Sequence, residues 1–181
     1  MGLYTYDDNA FLRKLIRCVV YFITLISFAW FLVFAFMGQT IVTGQSMAPQ
    51  LNAEDVCLVN RLVYDLGSPK RFDVILFERA DTGKENVKRI IGLPGETIRI
   101  TDGVIYIDGK VLESDYTENV ALSGIAENDV VLANDEFFVI GDNNSSSEDS
   151  RFSNIGNVKR RDIIGRLWLK IVPTQEIGLI R

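Results

Sequence analysis

The sequence predicts a mainly β domain preceded by one N-terminal membrane-spanning helix, and two observations support this prediction. From Cys18 to Met37 the chain reads CVVYFITLISFAWFLVFAFM, about twenty residues without a charge. At a helical rise of 1.5 Å per residue this run spans roughly 30 Å, the thickness of a bilayer's hydrocarbon core. Beyond residue 38, short runs rich in Val, Ile and Phe alternate with Gly, Pro and Asp-Gly turn signals. That alternation is typical of many short strands.

The orientation of the helix follows from the charges around it. Arg13, Lys14 and Arg17 precede the apolar run, and no charged residue appears again until Glu54. Because positive residues stay on the cytoplasmic side, the N-terminus is expected to be inside the cell and the remainder outside. We therefore expect a cytoplasmic segment at 1–17, a transmembrane anchor at 18–37 and an extracytoplasmic β domain at 38–181, with a small excursion at about 97–135.

Two alternatives for the apolar run are a cleaved signal peptide and a buried core helix. A signal peptide has a shorter apolar core, about 7–15 residues, followed by a small-x-small cleavage site. This run is longer, and residues 38–42 offer no such site. A core helix of twenty uncharged residues would be unusual in a chain of 181 residues. The composition favours a permanent anchor.

The β prediction depends on short runs with strand-forming residues. The predicted strands are Asp55–Leu62, Asp73–Phe77, Asn86–Ile91, Thr97–Thr101, Val104–Ile107, Val111–Leu112, Glu136–Ile140 and Ile163–Ile171. Asp102-Gly103 separates two of these runs, and Asp-Gly is a strong signal for a two-residue hairpin turn. Asp108-Gly109 is expected to open a second turn of this kind.

Composition excludes several classes of function. The chain has no histidine, which rules out Ser-His-Asp and Cys-His catalysis and any His-ligated zinc site. Its net charge of −5 argues against a nucleic-acid partner, because phosphate binding needs a basic surface. Cys18 and Cys57 have no metal-site or redox spacing and are expected to be free thiols. A hydrolase with this sequence needs a base other than histidine.

Four segments contain residues that could carry chemistry. They are Gly44–Pro49 (GQSMAP), Arg71–Phe77 (RFDVILF), Val87–Glu96 (VKRIIGLPGE) and Gly141–Arg151 (GDNNSSSEDSR). Taken singly and in this order, the four segments are compatible with an ordinary turn, a core strand, a solvated charged face and a loop. The last could be mistaken for a calcium loop, but Ser147 replaces the glycine and Ser153 the glutamate that an EF-hand requires.

Taken together, the four segments resemble the conserved boxes of bacterial type I signal peptidases, in the family's order and over most of the chain. The shortness of the chain and its single anchor are similar to the Gram-positive-like branch. The resemblance implies a fold of coiled antiparallel sheets and a membrane-bound serine endopeptidase. It implies exported precursor proteins as substrates, cut after small-x-small sites, and it requires no metal or cofactor.

The resemblance also implies roles for individual residues. Ser46 would be the nucleophile and Lys88 the general base. Ser147 would hold the lysine amine, and Asp149 would pair with Arg151. The remaining implied site residues are Asp142 paired with Arg89, Gly44 at the oxyanion position, and Val42, Gln45, Met47 and Val87 towards the substrate.

Two positions depart from the pattern of the family. Some relatives carry a serine where this chain has Gly44, so here the oxyanion is expected to rely on backbone N–H groups, that of Ser46 first. Glu54-Asp55 stands where the family usually has Gly-Asp, and we expect this to alter a turn without altering the chemistry.

Lysine can act as a base only if its pKa falls from about 10.4 towards 7–8, which burial among apolar residues can achieve. A carboxylate in contact with Lys88 would oppose this change, so Asp149 is expected to contact Arg151 instead. The main alternative is an inactive membrane-tethered relative that binds or assembles surface proteins. Such a protein would be expected to have lost Ser46 or Lys88. A self-cleaving repressor would also use a Ser-Lys pair, but it has no membrane helix and follows a DNA-binding domain.

Overall fold

The computed structural model describes residues 8–114, 116 and 120–180, which form two compact units divided after Met37. The first unit contains helix α1, which runs from Asp8 to Phe36. Its residues Ala10–Phe31 are long and apolar enough to cross a membrane. The helix begins ten residues before the predicted Cys18, because Leu, Arg and Lys in residues 12–17 are good helix formers.

The second unit is built almost entirely of short strands. They are β1 (Met37–Ile41), β2 (Val56–Asn60), β3 (Val74–Glu78), β4 (Glu85–Gly92), β5 (Thr97–Thr101), β6 (Val104–Ile107), β7 (Lys110–Val111), β8 (Val130–Val131), β9 (Glu136–Ile140), β10 (Val158–Lys159), β11 (Ile163–Val172) and β12 (Gly178–Leu179). Short 3₁₀ helices lie at Leu62–Tyr64, Gly124–Glu127, Arg160–Asp162 and Thr174–Glu176.

The strands form two antiparallel sheets. The larger has the order β1-β2-β11-β3-β4-β9-β10, with β12 also paired to β11. The smaller has the order β7-β6-β5-β8, and its strands lie between Thr97 and Val131, within the range of the expected excursion. Residues 115 and 117–119 of that excursion, and residues 1–7 of the N-terminal segment, lie outside the described residues. The prediction of a mainly β, antiparallel fold with one N-terminal apolar helix is confirmed.

Both predicted hairpin turns are present. Asp102 and Gly103 have φ values of 52° and 79°, and Asp108 and Gly109 have 50° and 76°, so both central residues are left-handed as a type I′ turn requires. The second turn starts pairing at once, with Lys110 opposite Ile107. For this reason β7 covers 110–111 and not the predicted 111–112.

Other differences in strand boundaries have local causes. The strand predicted to reach Leu62 ends at Asn60, whose side-chain Oδ1 accepts a 3.1 Å hydrogen bond from the Val63 N–H and turns the chain. Strand β1 was not predicted, since it directly continues the apolar run of the helix. β8, β10 and β12 have two residues each, too few to show alternation.

Strand β4 determines where the site lies. It pairs with β3 from Glu85 to Arg89, but with β9 only from Arg89 onwards. Within the described part of the chain, residues 85–88 therefore have no strand on their second edge. Buried apolar residues support the sheet on both faces, with Val74, Leu76 and Val87 in one cluster and Ile75, Phe77 and Ile90 in another.

Candidate active site

Ser46 and Lys88 meet where the turn after β1 approaches the middle of β4. The Lys88 Nζ donates a hydrogen bond to the Ser46 Oγ at 2.7 Å. The lysine is almost completely buried, with 4 % of its surface exposed, whereas Ser46 is half-buried. The structure therefore brings together the two residues that the sequence suggested as nucleophile and base, although they are 42 positions apart.

The strand register explains the burial of Lys88. Its cross-strand partner in β3 is Ile75, and Ile90 lies two positions further along the same face of β4. Both isoleucines have 0 % exposure. Because residues at i and i+2 of a strand share a face, the stem of Lys88 lies in an apolar layer of the sheet.

This environment changes the basicity of the amine. Burial lowers the pKa of Lys88 from 10.5 to about 8, because desolvation disfavours the ammonium form. The negative charge of Asp149 opposes the change, and the positive charge of Arg79 adds to it. At pH 7 about a tenth of such amines are neutral, compared with well under a thousandth for an ordinary lysine.

Ser147 does not make the hydrogen bond to Lys88 that the resemblance implied. Its Oγ is buried and has no hydrogen-bond partner among the described residues. The hydroxyl nevertheless belongs to the site, since a Cβ built on Gly141 would lie 2.3 Å from both the Ser147 Oγ and the Ser46 carbonyl oxygen. A role of Ser147 towards the lysine stays a prediction.

Asp149 faces Arg151 and not the lysine. The Arg151 Nε and Nη2 donate to its two carboxylate oxygens at 2.7 and 2.9 Å, and neither residue is more than 1 % exposed. The Gly141 N–H adds a 3.1 Å bond to the same carboxylate. Arg151 also donates to the carbonyls of Leu122, Asn144 and Ser147. The pair thus fixes the loop behind the site without contacting Lys88.

Asp142 and Arg89 form the second buried ion pair. The Arg89 Nε and Nη2 donate to the Asp142 carboxylate, each at 2.7 Å, and Arg89 has 0 % exposure. A further bond of 2.8 Å reaches the Phe72 carbonyl, and the guanidinium lies 3.8 Å from the ring centre of Tyr116. This pair anchors the other end of the same loop to β4.

The segment around Ser46 is held by its backbone. Gly44 has a φ of 81°, a left-handed conformation that favours glycine, and a Cβ at this position would point into open space. The Asn143 N–H donates to the Ser46 carbonyl at 3.0 Å. Neither Gly141 nor Asn143 was selected as a site residue from the sequence, although both belong to the GDN motif.

The Glu54-Asp55 turn supports the chain that leads to Ser46. The Glu54 N–H donates to the Val42 carbonyl, and the Val42 N–H donates to the Asp55 carbonyl, both at 2.9 Å. Glu54 has a φ of 72°, a conformation that costs a residue other than glycine roughly 1–2 kcal/mol. Glu54, which stands where the resemblance has glycine, therefore adopts a left-handed conformation in this turn.

A cleft of about 340 Å³ lies beside the dyad, between the chain of β1 and the unpaired edge of β4. Val42 and Val87, expected on the substrate side, line it. Its other lining residues are Gln39, Thr40, Ile41, Thr43, Ser46, Leu76, Glu85, Asn86 and Lys88. Sequence reasoning missed Gln39, Thr40 and Ile41 because β1 itself was not predicted.

Two of the residues expected near the substrate do not line this cleft. Met47 has 0 % exposure and packs in the core with Leu51 and Cys57. The prediction for Met47 is therefore wrong, because the turn at residues 46–50 directs its side chain into the core. Gln45 is exposed outside the cleft, and its carbonyl accepts a 3.1 Å bond from the Asn143 side chain.

A serine hydroxyl in contact with a buried lysine amine, on an antiparallel β scaffold, defines the class of serine hydrolases that use lysine as the base. Comparison with known proteins identifies the family of the chain. A model of the family "Signal peptidase, peptidase S26" matches residues 15–172.

Individual relatives agree with this match. Signal peptidase I U of Bacillus subtilis is 33 % identical over 173 residues, covering 91 % of this chain and 92 % of the relative. A probable signal peptidase I-2 of Synechocystis is 31 % identical over 145 residues, covering 77 % of this chain and 65 % of the relative. A crystal structure of a signal peptidase I from Enterococcus faecalis is 34 % identical, with a TM-score of 0.46, and covers 55 % of this chain and 96 % of that one.

The chain belongs to the signal peptidase family S26 and is a serine endopeptidase that removes signal peptides from precursor proteins. These relatives are peptidases by name, and they give no support to the alternative of an inactive binding or assembly module.

Proposed function

We propose that Ser46 and Lys88 form the catalytic dyad with which this chain cuts signal peptides from exported precursors outside the cytoplasmic membrane. The observation that carries the proposal is the 2.7 Å contact between the Ser46 Oγ and the amine of Lys88, a residue that is 4 % exposed. A lysine in this position can lose its proton near neutral pH and accept another from the serine.

The reaction would proceed in two acyl-transfer steps. Neutral Lys88 removes the proton of the Ser46 hydroxyl, and the Oγ attacks the scissile carbonyl carbon. The tetrahedral intermediate collapses when the lysine ammonium protonates the departing amine, which leaves the signal peptide esterified to Ser46. Lys88 then takes a proton from water, the resulting hydroxide attacks the ester, and the serine oxygen recovers its proton.

The oxyanion would be stabilised by backbone N–H groups, with that of Ser46 as the first donor. Gly44 supports this assignment, because its left-handed φ of 81° turns the backbone at the position where some relatives place a serine hydroxyl. Donors that are fixed before the reaction stabilise the transition state without reorganisation. Replacing Gly44 should therefore act through the position of the backbone.

The substrate would bind in the cleft as an added strand. The residues 39–43 line one side, and the unpaired edge of β4 at 85–88 lines the other. Main-chain hydrogen bonds to both sides would give affinity, and the side chains of Val42 and Val87 would limit the pockets to small residues. This explains a preference for small-x-small cleavage sites.

The apolar helix would anchor the enzyme in the lipid bilayer next to its substrates. Arg13, Lys14 and Arg17 lie in the first turns of the span Ala10–Phe31, which favours a cytoplasmic N-terminus. A single pass would then place residues 38–181 outside. No nucleic acid and no cofactor is part of the proposed reaction.

The test is cleavage of a purified precursor by the full chain in detergent micelles, followed by gel shift and N-terminal sequencing of the product. Ser46→Ala and Lys88→Ala should each lower the rate by about 10³-fold or more. Matched controls are Ser68→Ala and Lys84→Ala, which alter exposed residues and should cut at the native rate. Circular dichroism of each variant checks the fold. Cleavage by a folded Ser46→Ala or Lys88→Ala enzyme at the control rate would refute the dyad.

A further inference from the structure

Arg79 closes the turn between β3 and β4 and is unusually well covered for a hairpin residue. Its N–H donates to the Lys84 carbonyl at 2.9 Å, and its carbonyl accepts from the Gly83 N–H at 2.8 Å. The Nε and Nη2 donate to the Asp81 carboxylate at 2.9 and 2.6 Å. Only 13 % of its side chain is exposed. The guanidinium is thus held in one place at the end of the hairpin.

The second partner of Arg79 lies in the loop behind the dyad. Its Nη1 reaches the carboxylate of Glu148 at 3.4 Å. In the sequence Glu148 stands between Ser147 and Asp149, two residues that the structure places at the site. The contact therefore joins the β3–β4 hairpin, which carries Lys88, to the loop that contains Ser147 and Asp149. The two residues are 69 positions apart in the sequence.

The register of the hairpin directs Arg79 to the lysine side of the sheet. Lys88 is paired with Ile75, and Asn86 with Phe77. Arg79 follows Phe77 by two positions and pairs through its backbone with Lys84, which continues the ladder. Since alternate residues share a face of a sheet, the side chains of Arg79 and Lys88 extend from the same face of neighbouring strands.

We propose that Arg79 is a positioning residue for the reaction: paired with Glu148, it places a fixed positive charge on the lysine side of the hairpin and so favours the neutral amine of Lys88. The inference rests on the proposed function, because it assumes that Lys88 is the base.

The charges that face the lysine form two couples. Asp149 and Glu148 favour the ammonium form, whereas Arg79 and Arg151 favour the neutral amine. Asp149 and Arg151 are paired with each other in the buried loop, and Arg79 and Glu148 make the second couple. Removing Arg79 takes away a positive charge that acts on Lys88, and removing Glu148 takes away a negative one.

A purely structural role would predict a different result. The Arg79–Glu148 contact has one carboxylate with a side-chain exposure of 68 %, and such pairs add little to stability. Loss of a structural pair would lower the rate equally at every pH. Loss of a charge that acts on the base moves the pH at which the base becomes neutral.

The experiment is the pH profile of kcat/KM for precursor cleavage by the full chain in detergent, from pH 6 to 10. Its acidic limb reports the pKa of the base in the free enzyme. Arg79→Gln should move the midpoint up by about half a pH unit, and Glu148→Gln should move it down by a few tenths, as expected for one screened charge each. The double variant should have a midpoint between those of the two single variants, and Arg79→Lys, which keeps the positive charge, should stay within about 0.2 of the native midpoint.

The matched control is Arg99→Gln, an arginine of the small sheet that is 55 % exposed and 3.7 Å from Asp129; its profile should equal the native one. Single variants without a shift, or with shifts in the same direction, would overturn the role of Arg79. Failure of the proposed function would be seen differently. The Lys88→Ala variant would then cleave the precursor, or the pH profile of the native enzyme would lack an acidic limb. Opposite shifts in a Lys88-dependent enzyme support the inference.

Discussion

Strand β4 carries two buried cations side by side, and their surroundings differ in one respect. Lys88 and Arg89 are consecutive, point to opposite faces of the strand, and are 4 % and 0 % exposed. Arg89 meets a carboxylate, with two hydrogen bonds of 2.7 Å to Asp142. Lys88 meets a hydroxyl, the Ser46 Oγ, and no described carboxylate pairs with it.

The comparison shows that the partner of a buried cation decides its function, whereas burial alone does not. A carboxylate in contact keeps a cation charged and turns it into a structural link between strand and loop. A neutral hydroxyl in contact adds no negative charge that would counter desolvation, and the cation can become a base. Asp149, the carboxylate that acts most strongly on Lys88, is paired with Arg151, which keeps these two outcomes separate at neighbouring positions.

Lys88→Arg tests the comparison most severely, because it makes position 88 chemically like position 89. A guanidinium stays protonated at every accessible pH, so kcat/KM should fall by about 10³-fold or more. Precursor cleavage from pH 6 to 10 checks this, with Lys84→Arg on the exposed hairpin as the control. Appreciable cleavage by Lys88→Arg would mean that position 88 does not need to lose a proton.

Asp142→Asn removes the carboxylate whose contact with Arg89 distinguishes Arg89 from Lys88. The buried guanidinium then lacks its counter-charge, and the free energy of unfolding should fall by about 3–5 kcal/mol. Denaturant unfolding of the full chain in detergent, followed by circular dichroism, measures the change. The matched control is Asp129→Asn in the exposed pair with Arg99, where the change should stay below about 0.5 kcal/mol. Equal effects of the two variants would contradict the structural role of the buried pair.

Lys88→Met removes the buried cation that is not paired with a carboxylate. It should raise the free energy of unfolding, whereas Asp142→Asn should lower it. The pKa of Lys88 is about 8 in the folded chain and 10.5 as the reference. The unfolded chain therefore holds the Lys88 proton more tightly than the folded chain does. Burial of Lys88 lowers the free energy of unfolding, and this cost is complete below pH 8. The variant should be more stable at pH 7 by up to about 3 kcal/mol, and the gain should disappear as the pH rises from 8 to 10.5. Unfolding at pH 7 and pH 10.5, with Lys84→Met as the control, measures it. A variant less stable than the native chain at pH 7 would contradict a net cost of burying the Lys88 ammonium.

The native enzyme should show the same titration in its activity. With a pKa of about 8 for Lys88, kcat/KM should rise roughly tenfold between pH 6 and 7 and level off above pH 8–9. This profile is measured with one precursor at constant ionic strength. A rate that is flat from pH 6 to 9 would show that Lys88 does not titrate in this range.

Patterns with a strict local cause could be predicted from the sequence. The strands Thr97–Thr101, Val104–Ile107 and Glu136–Ile140 match the structure residue for residue, because alternation and the Asp-Gly turns determine their register. Two-residue strands such as Val130–Val131 have no pattern of their own. They exist because a longer strand lies beside them, and this is a tertiary cause.

The site itself was predictable only in part. Ser46 and Lys88 came from a resemblance of short motifs, since neither position is unusual within its own segment. The wrong prediction for Met47 and the missing Ser147 bond concern side-chain direction, which depends on how a turn packs and not on which residues it contains. Arg79 gave no signal at all, because an arginine at a hairpin end is ordinary until its partner across 69 positions is known.

Gly141 is a position at which we expect no other residue to be tolerated. It lies so close to the dyad that even a methyl group would come within 2.3 Å of two oxygen atoms, one on Ser46 and one on Ser147. A single-base change from glycine to alanine, harmless in most loops, would here separate the nucleophile from the loop behind it. In a library of all substitutions selected for secretion, we expect position 141 to return glycine alone, while the exposed Ser145 and Ser146 of the same loop accept many residues.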